Sequence, residues 1–136
     1  MHNRQRKTPI KLQALLRFAE KALAASRQEV QPTTGDDLPN EIHVLLVSDE
    51  RMSILHRKFL NQTGPTDVIT FQHGEIFISV PTARRQAREF GTSLLDEIQL
   101  YIVHGLLHLH GFDDRLPREQ RLMRAAEARV LRRITV

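Results

Sequence analysis

One segment limits the fold more than any other. Residues 94–109, LLDEIQLYIVHGLLHL, are apolar on almost every side of a helical wheel. Leu94, Leu95, Ile98, Leu100, Ile102, Val103, Leu106, Leu107 and Leu109 leave no broad polar face. A helix of that kind cannot lie half in water; it belongs in the middle of a domain, with other elements packed around it. Ser93, followed three residues later by Asp96, forms a capping-box pattern at its head. Gly111, just past its end, tolerates the left-handed conformation that closes a helix. With 136 residues the chain can build one hydrophobic core around this helix. One Tyr and no Trp mean that the core is made of Leu, Ile, Val and Ala.

The remaining elements follow from periodicity and turn chemistry. Residues 1–8 are basic and read as a flexible tail ahead of a single domain over 9–136. Pro9 opens an amphipathic pattern with Leu12, Leu15, Leu16, Ala19 and Leu23 on one face, predicting a helix over 9–26. Gln31 to Asn40 reads as a loop after a short strand near Glu29. Ile42 to Val47 (IHVLLV) is a predicted buried strand. Asp49 is the expected cap of a helix that turns Met52, Leu55 and Phe59 inward. DVITF and GEIFISV flank His73-Gly74 as two strands of a hairpin. Pro81 suits the first turn of a helix and Gly91 its C-terminal cap. A last helix, 116–134, points Leu122, Ala126, Val130 and Ile134 inward. The result is a small mixed sheet packed with about five helices: an α+β fold, or a closely related layered α/β arrangement, with the apolar helix at its centre.

Composition removes several classes of chemistry. There is no Cys, hence no disulfide framework, no thiolate metal site and no cysteine nucleophile. No run of 18 apolar residues exists and the N-terminal segment lacks a signal-peptide core, so a cytoplasmic location without membrane contact is expected. The net charge of +4 is unevenly placed. Gln28 to Glu50 hold six acidic residues and no Lys or Arg, whereas Arg115 to Arg133 hold seven Arg against two Glu. That polarity suits a polyanion as well as it suits a solvated helix face.

Ionisable groups inside the greasiest helix need a reason. His104 and His108 are four residues apart and share one helical face, so both can reach one tetrahedral ion. Past Gly111 the chain can turn back and bring Asp113 or Asp114 to the same point, leaving a fourth position for water, as in catalytic zinc sites. His110 points away and is peripheral; His43, His56 and His73 are isolated and ordinary. Gly105 stands where His-Glu-x-x-His metalloproteases carry their general base, which argues against peptide hydrolysis.

HGLLHLHGFDD (104–114) resembles the signature of the YbeY family, His-Gly-x-Leu-His-Leu-x-Gly-Tyr-Asp-His. PTDVITF is similar to that family's Pro-Thr-Asp-Val-Leu-Ser-Phe and GEIFIS to its Gly-Asp-Ile-Val-Ile-Ser, and the resemblance runs from about Ile42 to Ile134. It implies a zinc-dependent, single-strand-specific endoribonuclease of 16S ribosomal RNA maturation and ribosome quality control, with single-stranded RNA and the small ribosomal subunit as partners. Residue by residue, it implies His104, His108 and Asp114 as metal ligands and places Asp113 on the family's preceding Asp. By position Asp113 is the nearest candidate for a general base, or else it orients a ligand imidazole. Asp114 stands in place of the family's third His. The exchange leaves the site one unit less positive and also suits Fe2+ or Mn2+. Before PTDVITF the family carries a longer segment with an Arg; here only NQTG separates Leu60 from Pro65, with Arg57 and Lys58 just upstream. Two other readings stay open: a ribosome or RNA-binding protein of this fold whose catalysis has lapsed, and a different enzyme with two His and one carboxylate, such as an Fe(II) oxygenase.

Overall fold

The computed structural model describes residues 1–29, 38–62, 64 and 66–135. Among them the elements are β1 (His2–Asn3), α1 (Leu12–Ser26), a 3-10 turn (Arg27–Glu29), β2 (His43–Val47), α2 (Asp49–Leu60), β3 (Val68–Phe71), β4 (Glu75–Ser79), α3 (Val80–Phe90), α4 (Leu94–Leu109) and α5 (Pro117–Thr135). The four strands form one sheet in the order β1-β2-β4-β3. β1, β2 and β4 are parallel, and β3 runs antiparallel to β4 as the outer strand. This is the expected α+β architecture.

The sheet is buried on both faces, which is why β2 reads as a continuous apolar run rather than an alternating one. Val44 and Leu46 pair with Ile76 and Ile78, and this face packs against α4, α1 and α5. Leu45, Val47, Ile69 and Phe77 point the other way, onto Met52 and Leu55 of α2. The chain thus makes three layers: α2, sheet, and a helical layer with α4 inside it. Ile98, Ile102, Val103 and Leu107 are fully buried in α4, each worth about 1.5–3 kcal/mol of hydrophobic stabilisation. Gly105 lets α4 lie close on β4, because a Cβ there would stand 2.8 Å from Ile76 side-chain atoms. The capping box at Ser93 and Asp96 is present, with the Ser93 hydroxyl accepting the Asp96 N–H at 3.0 Å. Gly91 closes α3 at φ +70°.

Several expectations are corrected. The N-terminal residues do not fray at the point where they meet the sheet. His2 and Asn3 cover the outer edge of β2, the Arg4 N–H donates to the Leu46 carbonyl at 2.8 Å, and Gln5 and Thr8 are buried and bonded to each other. Backbone pairing of an otherwise open strand edge decides this, and side-chain polarity does not report it. The segment near Glu29 is a helical turn, not a strand, and the buried Glu29 carboxylate is clasped by Arg129 at 2.7 Å and Arg133 at 2.6 Å. The predicted loop 31–40 lies outside the described residues except for 38–40. Ser48, not Asp49, caps α2; Asp49 accepts instead from Ser79, Thr82 and Arg85, tying the starts of α2 and α3 together. Phe59 is 54% exposed rather than inward. In α5, Met123 takes the buried position expected for Leu122, in phase with Ala126 and Val130.

Candidate metal centre

α4 sets the imidazoles of His104 and His108 one turn apart, with ring centroids 4.6 Å from each other. After Leu109 the chain reverses through Gly111, at φ +103°, a conformation that costs glycine least. Phe112 then plugs back into the core and its N–H donates to the Leu107 carbonyl at 3.0 Å. This anchored reversal returns Asp114 to the histidine face. The Nε2 atoms of the two histidines stand 3.1 Å apart, and Asp114 Oδ2 lies 3.2 Å from His104 Nε2 and 3.5 Å from His108 Nε2. Three donors around one tetrahedral ion, with bonds of about 2.0–2.1 Å, would be separated by about 3.3–3.4 Å. The triangle fits.

The protons fit as well. Nδ1 of His108 faces the Phe112 carbonyl at 3.0 Å and Nδ1 of His104 faces the Glu127 carboxylate at 3.4 Å. Both partners accept, so each Nδ1 carries the hydrogen and each Nε2 presents a lone pair. With the Asp114 carboxylate, three electron-pair donors point at one spot, and only a cation or an added proton relieves their repulsion. Burial works against the charged form of His104, but the Glu127 hydrogen bond and charge, with Asp114, hold its pKa above the ordinary imidazole value. Burial and the neighbouring His104 push His108 below it.

Glu127 is the residue that sequence reasoning missed. It is buried on α5, where its neighbours on the same helix are Arg-rich. The available signal was its phase: four residues after Met123 and three before Val130, it lies on the buried side. A carboxylate behind a ligand imidazole fixes the tautomer and raises the ring's basicity. Asp113 does not supply that support. Its carboxylate accepts the Asp114 N–H at 2.8 Å and pairs with Arg115 at 2.7 Å, and these contacts hold its pKa below the usual carboxylate range. Its place is to shape the turn that presents Asp114.

The trio opens into a groove that continues in two directions. Along β3 it is lined by Val68, Thr70 and Gln72, and toward α3 and α4 by Gln86, Glu97 and Tyr101; Asp67 lines both arms. Burial, then the Asp67 charge, raises the Tyr101 pKa, and the phenol is hydrogen-bonded to Gln86. His110 faces away from the trio as expected, but it is buried in the core beside Ser26 of α1, at 2.9 Å, rather than peripheral. His43 stacks on His2, His56 approaches the Gly64 carbonyl and His73 pairs with Glu75, so none of the three joins the cluster. Among the described residues, no helix is long and apolar enough to cross a membrane.

Comparison with known proteins adds an independent finding. The family model described as Endoribonuclease YbeY matches residues 1–135. An Endoribonuclease YbeY of Bacteroides thetaiotaomicron is 38% identical over 98 residues, covering 67% of this chain and 72% of the relative. That of Parabacteroides distasonis is 34% identical over 119 residues, covering 82% and 83%. The solution structure of TM1509 from Thermotoga maritima superposes with a TM-score of 0.59 at 27% identity, over 95% of this chain and 87% of that one.

Proposed function

This chain belongs to the Endoribonuclease YbeY family, and from that premise we propose that it is a metal-dependent endoribonuclease cutting single-stranded RNA in the maturation of 16S ribosomal RNA. The observation that carries the reading is the convergence of two imidazole lone pairs and one carboxylate at 3.1–3.5 Å.

His104, His108 and Asp114 would hold the ion, zinc by preference, with Fe2+ or Mn2+ also suited to two imidazoles and a carboxylate. A divalent ion there supplies Lewis acidity toward a phosphate oxygen and lowers the pKa of a water from ~15.7 toward neutrality. Glu127 and the Phe112 carbonyl keep both Nδ1 protons in place, so the Nε2 atoms stay available. Asp113 positions Asp114. The outer strand β3 forms one wall of the groove, and Arg118, Arg121 and Arg124, exposed on α5, draw phosphates toward it. The small ribosomal subunit is the partner this reading implies, with ribosome quality control as the wider role and the cytoplasm as the location.

The test is incubation of the purified protein with single-stranded ribosomal RNA, with and without chelator. Cleavage that chelator stops and that His108→Ala abolishes supports the reading; cleavage that survives either treatment overturns it. A second reading, RNA binding without catalysis, rests on Asp114 in place of a third imidazole. It predicts binding with no cleavage in the same experiment.

A further inference from the structure

A second cleft lies on the opposite face of the sheet from α4, between α2 and the β3–β4 hairpin, with a volume of about 540 Å³. That is within the range of small-ligand sites, roughly 300–1,000 Å³. Its wall is aromatic: Phe59 meets Phe71 edge-on at 5.3 Å, and Phe71 stacks on His73 at 5.7 Å with 16° between the planes. Phe59 is 54% exposed although its helix has a buried side available, and Ile54 and Leu60 are exposed with it. Such a patch on a single chain marks a contact site. Its rim is cationic. Arg4, Arg51 and Lys58 line the cleft against one acid, Glu75, which His73 already engages at 2.6 Å. The Lys58 ammonium stands 5.5 Å from the Phe59 ring centre.

Aromatic rings among cations are the pattern that binds single-stranded nucleic acid, the rings taking bases and the cations phosphates. Phe71, at the end of the edge strand β3, lines both this cleft and the metal groove. Between Phe71 and His73, the Gln72 amide reaches toward the His108 carbonyl at 3.5 Å, on the metal side. A strand crossing the end of β3 would therefore meet both sites. We propose that this cleft is a second RNA subsite, in which unpaired bases stack on Phe59 and Phe71 while Arg4, Arg51 and Lys58 hold the adjoining phosphates.

This inference rests on RNA being the substrate, but its test does not need the metal. A labelled single-stranded oligouridine of about 12 nucleotides, a length typical of single-strand grooves, is titrated with the whole protein in chelator and followed by anisotropy. Phe59→Ala should weaken binding about 10-fold and Phe59→Tyr should restore it. Lys58→Ala should flatten the salt dependence by about 0.7 in slope. A strand of abasic residues should bind wild type more weakly, and Phe59→Ala should weaken its binding less than it weakens binding of the ordinary strand. Phe59 is more than half exposed, so its loss leaves no core cavity. Equal binding by wild type and Phe59→Ala overturns the subsite, as does a Phe59→Ala effect confined to self-association or peptide binding. Cleavage measured separately with metal keeps the two ideas apart: Phe59-dependent binding without any cleavage sinks the proposed activity and leaves the subsite standing.

Discussion

The Glu127 carboxylate of α5 faces Nδ1 of His104 on α4 at 3.4 Å, so two successive helices share one proton contact behind the ring whose Nε2 faces Asp114 and His108. Glu127→Gln keeps the shape but removes the charge. It should lower zinc affinity 10–100-fold, measured by competition with a chelating dye. Unchanged affinity would mean that the contact is packing only.

The two aspartates after Phe112 should separate cleanly. Asp114→Ala is expected to reduce bound zinc from near-stoichiometric to trace amounts, Asp113→Ala to leave most of it, and Asp114→His to keep it. Elemental analysis of the purified variants decides this, and equal losses in both alanine variants would remove the distinction drawn from the geometry.

Gly105→Ala places a methyl 2.8 Å from Ile76 Cδ1 and Cγ2 and so pushes α4 off the sheet. A destabilisation of about 1–3 kcal/mol is expected, read as a lower denaturation midpoint at unchanged slope. Ile76→Val in the same chain removes one of the clashing carbons and should recover part of the loss. A double variant no better than Gly105→Ala would locate the cost elsewhere.

Glu29 links acid to stability. Hydrogen bonds from Arg129, then from Arg133, outweigh burial and hold its folded pKa below the usual value. Its contribution is therefore complete above the unfolded pKa of about 4.3 and is lost as pH falls through the lower folded value. Wild type should exceed Glu29→Gln by about 2 kcal/mol at neutral pH, a figure discounted for the partly exposed arginines. Urea denaturation across acidic pH should show the two curves converging below about pH 4. A constant gap would exclude the ion pairs as its source.

Much of the architecture was legible because local rules and burial agreed. α4 runs over the predicted residues 94–109, and the β3–β4 hairpin and the Gly91 cap stand where turn chemistry puts them. His104 and His108 also gather as their spacing suggested, together with Asp114, which the family resemblance and not the spacing singled out from Asp113. What escaped was set by tertiary context. Phe59 and Leu122 fit an inward stripe by type, but α2 has only one sheet face to cover and the buried phase of α5 runs through Met123. β1 forms because an open edge of β2 is available, which no property of His2 or Asn3 announces. Glu127 reaches His104 only through the packing of α5 on α4, which spacing cannot reveal.

All three prospective ligands ride on one unbroken stretch of chain, from the last turns of α4 to the reversal after it. An ion seated there closes a short loop and saves little chain entropy. It works as a latch on one corner and not as a rivet through the whole body. Stripping it would slacken that corner and leave the layers standing, so the emptied protein should accept a different ion without having to refold.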